Sequence, residues 1–290
     1  MTIPCTVFGE EGKLLHFSHA NGYPPCSYSI FLKQFTPKYQ VIAPWLRPLW
    51  SEDAPQTVSD WRVFGDDLLS FLNQGEDQIT WPSPGGSKVL GVGHSVGATA
   101  TLLAALRHPE LFRALVLIEP ILFLPRINIL WKIVTMLGLS YHVHPLIRGA
   151  LKRRRHFLNK EAMYENYRSK AVFRRISDRG LREYVNALAR DDARGGVTLA
   201  YPPAWEARIY ATAGLYDHQI WRFAPKLKLP VLLIRGAETD AFGGQVAQRL
   251  LARLPRAELR TIPKTGHLAP LEAPESVFQV ISHFLHVVDV

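Results

Sequence analysis

Six short apolar runs punctuate the chain: Leu14–Ser18, Tyr39–Ala43, Lys88–Gly93, Ala114–Glu119, Val231–Arg235 and Glu258–Ile262. Helical periodicity fills Val58–Asn73, Val96–Arg107, Gln245–Leu254 and Ser276–Val287 between and after them. Apolar runs of that length, without polar alternation, suit strands buried on both faces. Strands alternating with helices predict an α/β chain with a mostly parallel, doubly wound sheet and right-handed crossovers. Sites in such sheets lie beyond the carboxyl ends of the strands. The rhythm breaks once, from 121 to 207, which reads as several helices with Arg/Lys-rich and Tyr-rich faces and no strand. The expected organisation is a core of 1–120 and 208–290 with an all-helical insertion, 121–207, laid as a cap over the strand ends.

Charge follows the same division. The 290 residues carry 34 Lys+Arg and 25 Asp+Glu, a net +9. Residues 121–207 hold 16 basic against 7 acidic, and the remainder 18 against 18, so the whole excess sits in the insertion. Its densest run is Lys152-Arg153-Arg154-Arg155, followed by Arg174-Arg175. The simplest reading is a solvated helical face; the sharper one is a docking site for an anionic carrier or surface. With no basic–aromatic strip, nucleic acid is not expected as a partner.

A chain this long, 47% hydrophobic, can bury its own core without disulfide or metal staples. Cys5 and Cys26 alone exclude a disulfide framework and fit reduced thiols. The N-terminus lacks a basic segment followed by an apolar one, so no secretory leader is expected. The longest apolar stretch, Ile127–Ile147, is broken by Lys132, His142 and His144 and makes a poor transmembrane segment. A soluble, cytoplasmic protein is the expectation. Ile127–Leu139, beside the basic run, reads as a helix buried on the core or as one touching a membrane surface.

At the end of the run Lys88–Gly93 stands Gly93-His94-Ser95-Val96-Gly97, and a helical pattern follows. A G-x-S-x-G pattern between strand and helix gives a sharp turn that presents the serine, with glycines where the backbones crowd. Ser95 is therefore the candidate nucleophile. The helix behind it aims amides and a partial positive charge at a developing oxyanion, which makes the Val96 amide one candidate donor. A serine hydroxyl needs a general base oriented by a carboxylate. His267, in the loop Pro263-Lys264-Thr265-Gly266-His267 after the last apolar run, is the candidate base. The acid is expected in the turn Arg235-Gly236-Ala237-Glu238-Thr239-Asp240, at Asp240, with Glu119 at the end of the preceding run as the alternative. The small-residue turn His19-Ala20-Asn21-Gly22-Tyr23-Pro24 offers a second oxyanion amide, best placed at Asn21, with Gly22 or Tyr23 also open. His142 and His144 lack a third partner, so no metal site is expected.

These residues resemble the α/β-hydrolase superfamily with a helical cap, over nearly the whole chain. The resemblance implies an α/β-hydrolase fold, a catalytic set of Ser95, His267 and Asp240, and an oxyanion hole of Val96 and Asn21. A serine rather than a carboxylate at the elbow sets the chain apart from haloalkane dehalogenases and epoxide hydrolases. Many relatives carry Arg-Gly-His-Gly after the strand equivalent to Tyr39–Ala43; here the loop reads Ala43-Pro44-Trp45-Leu46-Arg47-Pro48-Leu49-Trp50. The expected activity is hydrolysis of carboxylic (acyl) esters without a cofactor. The substrate is expected to be a small molecule with an apolar acyl group, in a pocket drawing on Trp45, Trp50, Trp131, Phe157, Tyr164 and Trp221. Thioester hydrolysis or acyl transfer on a carrier docked by the basic cap, cofactor-free haloperoxidase or carbon–carbon bond hydrolysis, and a non-catalytic receptor are the alternatives.

Overall fold

The computed structural model describes residues 2–74 and 88–288. The chain opens with β1 (Cys5–Phe8), β2 (Lys13–Ser18) and β3 (Tyr39–Pro44), then α1 (Arg62–Gln74), β4 (Val89–His94), α2 (Val96–Arg107) and β5 (Phe112–Ile118). After a long excursion it returns through β9 (Val231–Gly236), α10 (Gly244–Leu251), β10 (Ala257–Ile262) and α11 (Pro274–Val287). These seven strands form one sheet in the order β1-β3-β2-β4-β5-β9-β10, parallel throughout except for β1 against β3. This is the α/β-hydrolase fold. The six strands read from the apolar runs are all present; the antiparallel edge strand β1 is an addition.

The sheet explains its own sequence. All six residues of β4 are buried, as are five at the end of β5, because helices cover both faces. At the outer edge, β10 carries an exposed Arg260 paired with a half-buried Glu258, charges that discourage further strand pairing there. The helix α2 packs against α1 and has ten buried residues, mostly alanine, leucine and threonine.

Between β5 and β9 the chain runs through α3 (Pro125–Met136), α4 (Ser140–Val143), α5 (Pro145–Leu151), β6 (His156–Phe157) and α6 (Lys160–Arg168). It continues through α7 (Asp178–Leu188), β7 (Ala189–Asp191), β8 (Val197–Leu199), α8 (Pro203–Ala211) and α9 (Asp217–Phe223). The all-helical expectation for 121–207 is thus corrected: β6, β8 and β7 make a three-stranded antiparallel sheet. Its strands are two or three residues long, below the reach of periodicity. The β7–β8 turn carries Gly195 and Gly196, both at positive φ. Helices α6 and α7 begin at side-chain caps, Asn159 on the Ala162 amide and Ser177 on the Gly180 amide. A small second core joins Ile147 and Ala150 of α5 to Ala207 and Ala211 of α8, with Trp131 and Tyr141 against it. No helix among the described residues is long and apolar enough to cross a membrane.

Asp217, buried at the start of α9, accepts from the Phe123 amide at 2.6 Å and so ties the start of the excursion to its end. Burial pushes its carboxyl from an ordinary 3.8 up to about 7. Because the folded chain holds this proton more tightly than the unfolded chain, ionising Asp217 destabilises the fold. The penalty grows as pH rises from about 3.8 to about 7 and is constant above. Asp217→Asn keeps the acceptor, so its stability relative to wild type should climb through that window by a few kcal/mol, on the order of the shift itself. Thermal unfolding across pH checks this, and a pH-independent difference between the two proteins contradicts it.

Candidate active site

Five chain segments converge beyond the carboxyl ends of the parallel strands: the loop after β2, the turn after β4, the residues after β5, the turn after β9 and the loop after β10. Ser95 sits between β4 and α2 with φ 58° and ψ −124°, a conformation that costs a non-glycine residue about 1–3 kcal/mol. The surroundings impose it. A Cβ at Gly93 would lie 2.6 Å from the Ala98 Cα, and one at Gly97 would lie 2.2 Å from the Ser18 carbonyl oxygen. Only glycine lets β2, β4 and α2 approach this closely. The same crowding sets the loop after β2 beside the serine.

Ser95 Oγ lies 3.0 Å from His267 Nε2, and His267 Nδ1 lies 3.1 Å from Glu119 Oε2. Glu119 follows β5 at φ 52° and is wholly buried. Its carboxylate accepts from the Gly236 amide at 2.6 Å and from the Thr239 hydroxyl. Asp240, expected as the acid, is corrected by this geometry: it is exposed, and among the described residues no hydrogen bond or ion pair joins it to His267. The turn after β9 instead supplies donors to Glu119. A Cβ at Gly236 would stand 2.4 Å from the Gly266 carbonyl oxygen, so that turn also abuts the histidine loop.

Three residues outside the expected set fix these loops to one another. The Ala20 amide donates to the Tyr28 hydroxyl at 3.3 Å, and that hydroxyl donates to His94 Nδ1 at 2.8 Å. His94 Nε2–H then donates to the His267 carbonyl oxygen at 2.8 Å. One continuous chain therefore runs from the loop after β2, through the elbow, to the histidine loop, and its partners settle the His94 tautomer. Burial holds His94 well below the usual histidine range, so it stays neutral. His19, pushed down to about 4 by burial, donates from Nδ1 to the Ala20 carbonyl and accepts the Leu46 amide on Nε2. With the Ala20 carbonyl held there, the planar trans peptide fixes the direction of the Asn21 N–H. The sequence signal for His94 and Tyr28 was slight: a polar residue inside the elbow and a tyrosine in the turn Pro25–Tyr28.

The Asn21 side chain is held by the excursion between β5 and β9. Its Nδ2 donates to the Glu206 carbonyl at 3.1 Å and its Oδ1 accepts from the Tyr201 hydroxyl at 2.8 Å. Val96 opens α2, where amides are free of helical partners. Arg153, read as part of an exposed basic run, is instead a largely buried residue paired with Glu206. It also donates to the hydroxyls of Tyr167 and Tyr184 at 2.8 and 2.9 Å. Above the same loop, Tyr23 meets Tyr184 at 5.0 Å between ring centroids, and Tyr184 meets Phe173 at 5.1 Å. Of the aromatic residues expected to line a pocket, Phe157 packs on Tyr167 and Tyr164 donates to Asp178. Trp221 donates to the Phe123 carbonyl, Trp50 to the Trp45 carbonyl and Trp45 to Thr6, while Trp131 belongs to the second core.

A serine, a histidine and a carboxylate in line at the strand ends of a parallel sheet define the class of site. The chain belongs to the alpha/beta hydrolase family, whose model matches residues 19–280. An uncharacterized hydrolase of Bacillus subtilis is 28% identical over 201 residues, covering 67% of this chain and 64% of that protein, a little under two thirds of its length. The strigolactone esterase of Arabidopsis thaliana is 24% identical over 286 residues, 96% of this chain and 94% of the relative. Among solved structures, E-2-(acetamidomethylene)succinate hydrolase superposes with TM-score 0.76 at 17% identity, over 97% of this chain and 94% of that one. An M. tuberculosis esterase gives 0.70 at 18%, over 99% and 88%. At those identities the likeness is one of fold.

Tyr28→Phe removes both the donor to His94 and the acceptor of the Ala20 amide, and all three residues are buried. Leaving buried polar groups unpaired should destabilise the protein by roughly 1–3 kcal/mol. Denaturant unfolding of the variant checks this, and an unchanged midpoint would show that the chain does not hold the loops.

Proposed function

We propose that the protein hydrolyses carboxylic esters of apolar acyl groups through an acyl-enzyme, with Ser95 as nucleophile, His267 as base and Glu119 as the orienting acid. The observation that carries this reading is the unbroken line Ser95 Oγ–His267–Glu119, 3.0 and 3.1 Å at its two joints. Membership of the alpha/beta hydrolase family makes hydrolysis the class of reaction, and an esterase among the full-length relatives favours an ester as the bond cleaved.

The chemistry follows from the roles. Ser95 Oγ attacks the acyl carbon while its proton passes to His267 Nε2; Glu119 holds the ring by Nδ1–H and stabilises the imidazolium. The amides of Val96 and Asn21 receive the oxyanion, each such donor being worth about 3–4 kcal/mol in the transition state. The carbon–oxygen bond to the alcohol breaks as His267 returns the proton to the leaving oxygen. Water, deprotonated by His267, then attacks the acyl carbon, and Ser95 departs as the hydroxyl. Side chains and water supply every proton and electron pair, so the steps call on no cofactor. In this reading residues 121–207 act as a cap, and the ring cluster of Tyr23, Phe173 and Tyr184 forms part of the roof.

With p-nitrophenyl esters from acetate to palmitate, wild type should release p-nitrophenol with a chain-length optimum. Ser95→Ala should lose roughly 10⁴-fold or more in kcat. Turnover that survives the substitution would remove Ser95 from the chemistry, and folded wild type inert on the whole series would sink the ester reading.

A further inference from the structure

The helix α3 shows most of its large aliphatic side chains to water. Ile129, Leu130, Ile133, Met136 and Leu137 face solvent, with 65%, 63%, 50%, 76% and 66% of their surfaces exposed. They lie at helical spacing and make one stripe. Asn128, Trp131, Val134 and Thr135 lie on the half-buried side, and Trp131 packs on the second core. A surface helix of a globular protein ordinarily turns such a stripe toward the core. Leu146 of α5, 54% exposed, extends the apolar area, because α5 packs its Ile147 and Ala150 inward on α8. An exposed apolar area this continuous marks a place where something docks.

The charge around it says what. From Glu119 to Glu161 the chain has no acidic residue between, and eight basic ones. Arg153 is spent on Glu206; the other seven are exposed, among them Arg126, Lys132, Arg148 and Lys152. A second copy of the chain on a two-fold axis would set two like-charged belts against each other. Nucleic acid has no use for an aliphatic stripe. An anionic bilayer offers both hydrocarbon and negative headgroups.

We infer that α3 to α5 form a docking surface for a phospholipid bilayer carrying anionic headgroups. The stripe of α3 lies in the interfacial plane at the boundary of headgroups and acyl chains, and the basic residues contact the headgroups. A helix of twelve residues, about 18 Å long, lies along the surface and does not cross it. Among the described residues, the side chains of Leu130, Met136, Arg148 and Lys152 make no hydrogen bond or ion pair with Ser95, His267, Glu119 or Asn21, so binding and turnover can be read separately.

The test floats the full chain with vesicles of phosphatidylcholine alone and of phosphatidylcholine mixed with phosphatidylglycerol. Wild type should partition onto the mixed vesicles, weakly onto the neutral ones, and less as salt is added. Leu130→Glu/Met136→Glu and, separately, Arg148→Glu/Lys152→Glu should each lower partitioning by about tenfold or more. Both should keep the wild-type unfolding midpoint and the wild-type turnover of a water-soluble ester. Failure of wild type to bind the mixed vesicles, or equal binding by both variants, overturns the proposal. A wild-type dimer that Leu130→Glu/Met136→Glu makes monomeric, without vesicle binding, assigns the face to a second copy and overturns it too. Loss of ester turnover in wild type would bear on the ester reading alone.

Discussion

The Glu119 carboxylate has no access to solvent, and a polar group so placed must be met by hydrogen-bond donors. Three groups hold it: the Gly236 amide, the Thr239 hydroxyl and the His267 ring. Two come from the turn after β9 and one from the loop after β10, so satisfying this one carboxylate pins the residues after β5 and those two segments at a single point. The remainder of the site is arranged around that point. His267, held at Nδ1 by Glu119, can present only Nε2 to Ser95, and the strained backbone at Ser95 delivers its Oγ to meet it.

A second constraint works on the other side of the serine. The neutral rings of His94 and His19 use both nitrogens, one as donor and one as acceptor. Burial keeps both rings uncharged, which is the state in which each nitrogen has a defined role. His94 joins the loop after β2, through Tyr28, to the histidine loop, and His19 joins the same loop to the segment after β3. The excursion between β5 and β9 completes the set by gripping the Asn21 side chain through Glu206 and Tyr201. Preorganisation of this kind is what an oxyanion site requires, because donors that must reorient during reaction contribute less.

Much of this was legible in the sequence, for reasons that differ from residue to residue. Gly93 and Gly97 signalled the elbow because the backbones there leave no room for a Cβ. The apolar runs signalled the parallel strands because both faces of the sheet are covered. The carboxylate beside His267 is Glu119, the sequence's alternative, and not Asp240. Asp240 and Glu119 both follow strands, and spacing alone does not say which carboxylate turns inward. The deciding feature is three-dimensional: Glu119 has a longer side chain and adopts φ 52°, while Asp240 lies four positions past β9 and points outward. The strands β6 to β8 escaped notice because two or three residues show no period. Arg153 could not be told from its basic neighbours, since its burial depends on Glu206, which is 53 positions away.

Which carboxylate serves the histidine decides the chemistry of this site. Intact-protein mass spectrometry of fluorophosphonate labelling measures it, comparing wild type with Glu119→Gln and Asp240→Asn. Wild type and Asp240→Asn should gain one phosphonyl group at the same rate, on Ser95, while Glu119→Gln should label slower by roughly 10³-fold or more, the scale seen when a triad acid loses its charge. Slow labelling of Asp240→Asn together with wild-type labelling of folded Glu119→Gln would contradict the assignment to Glu119.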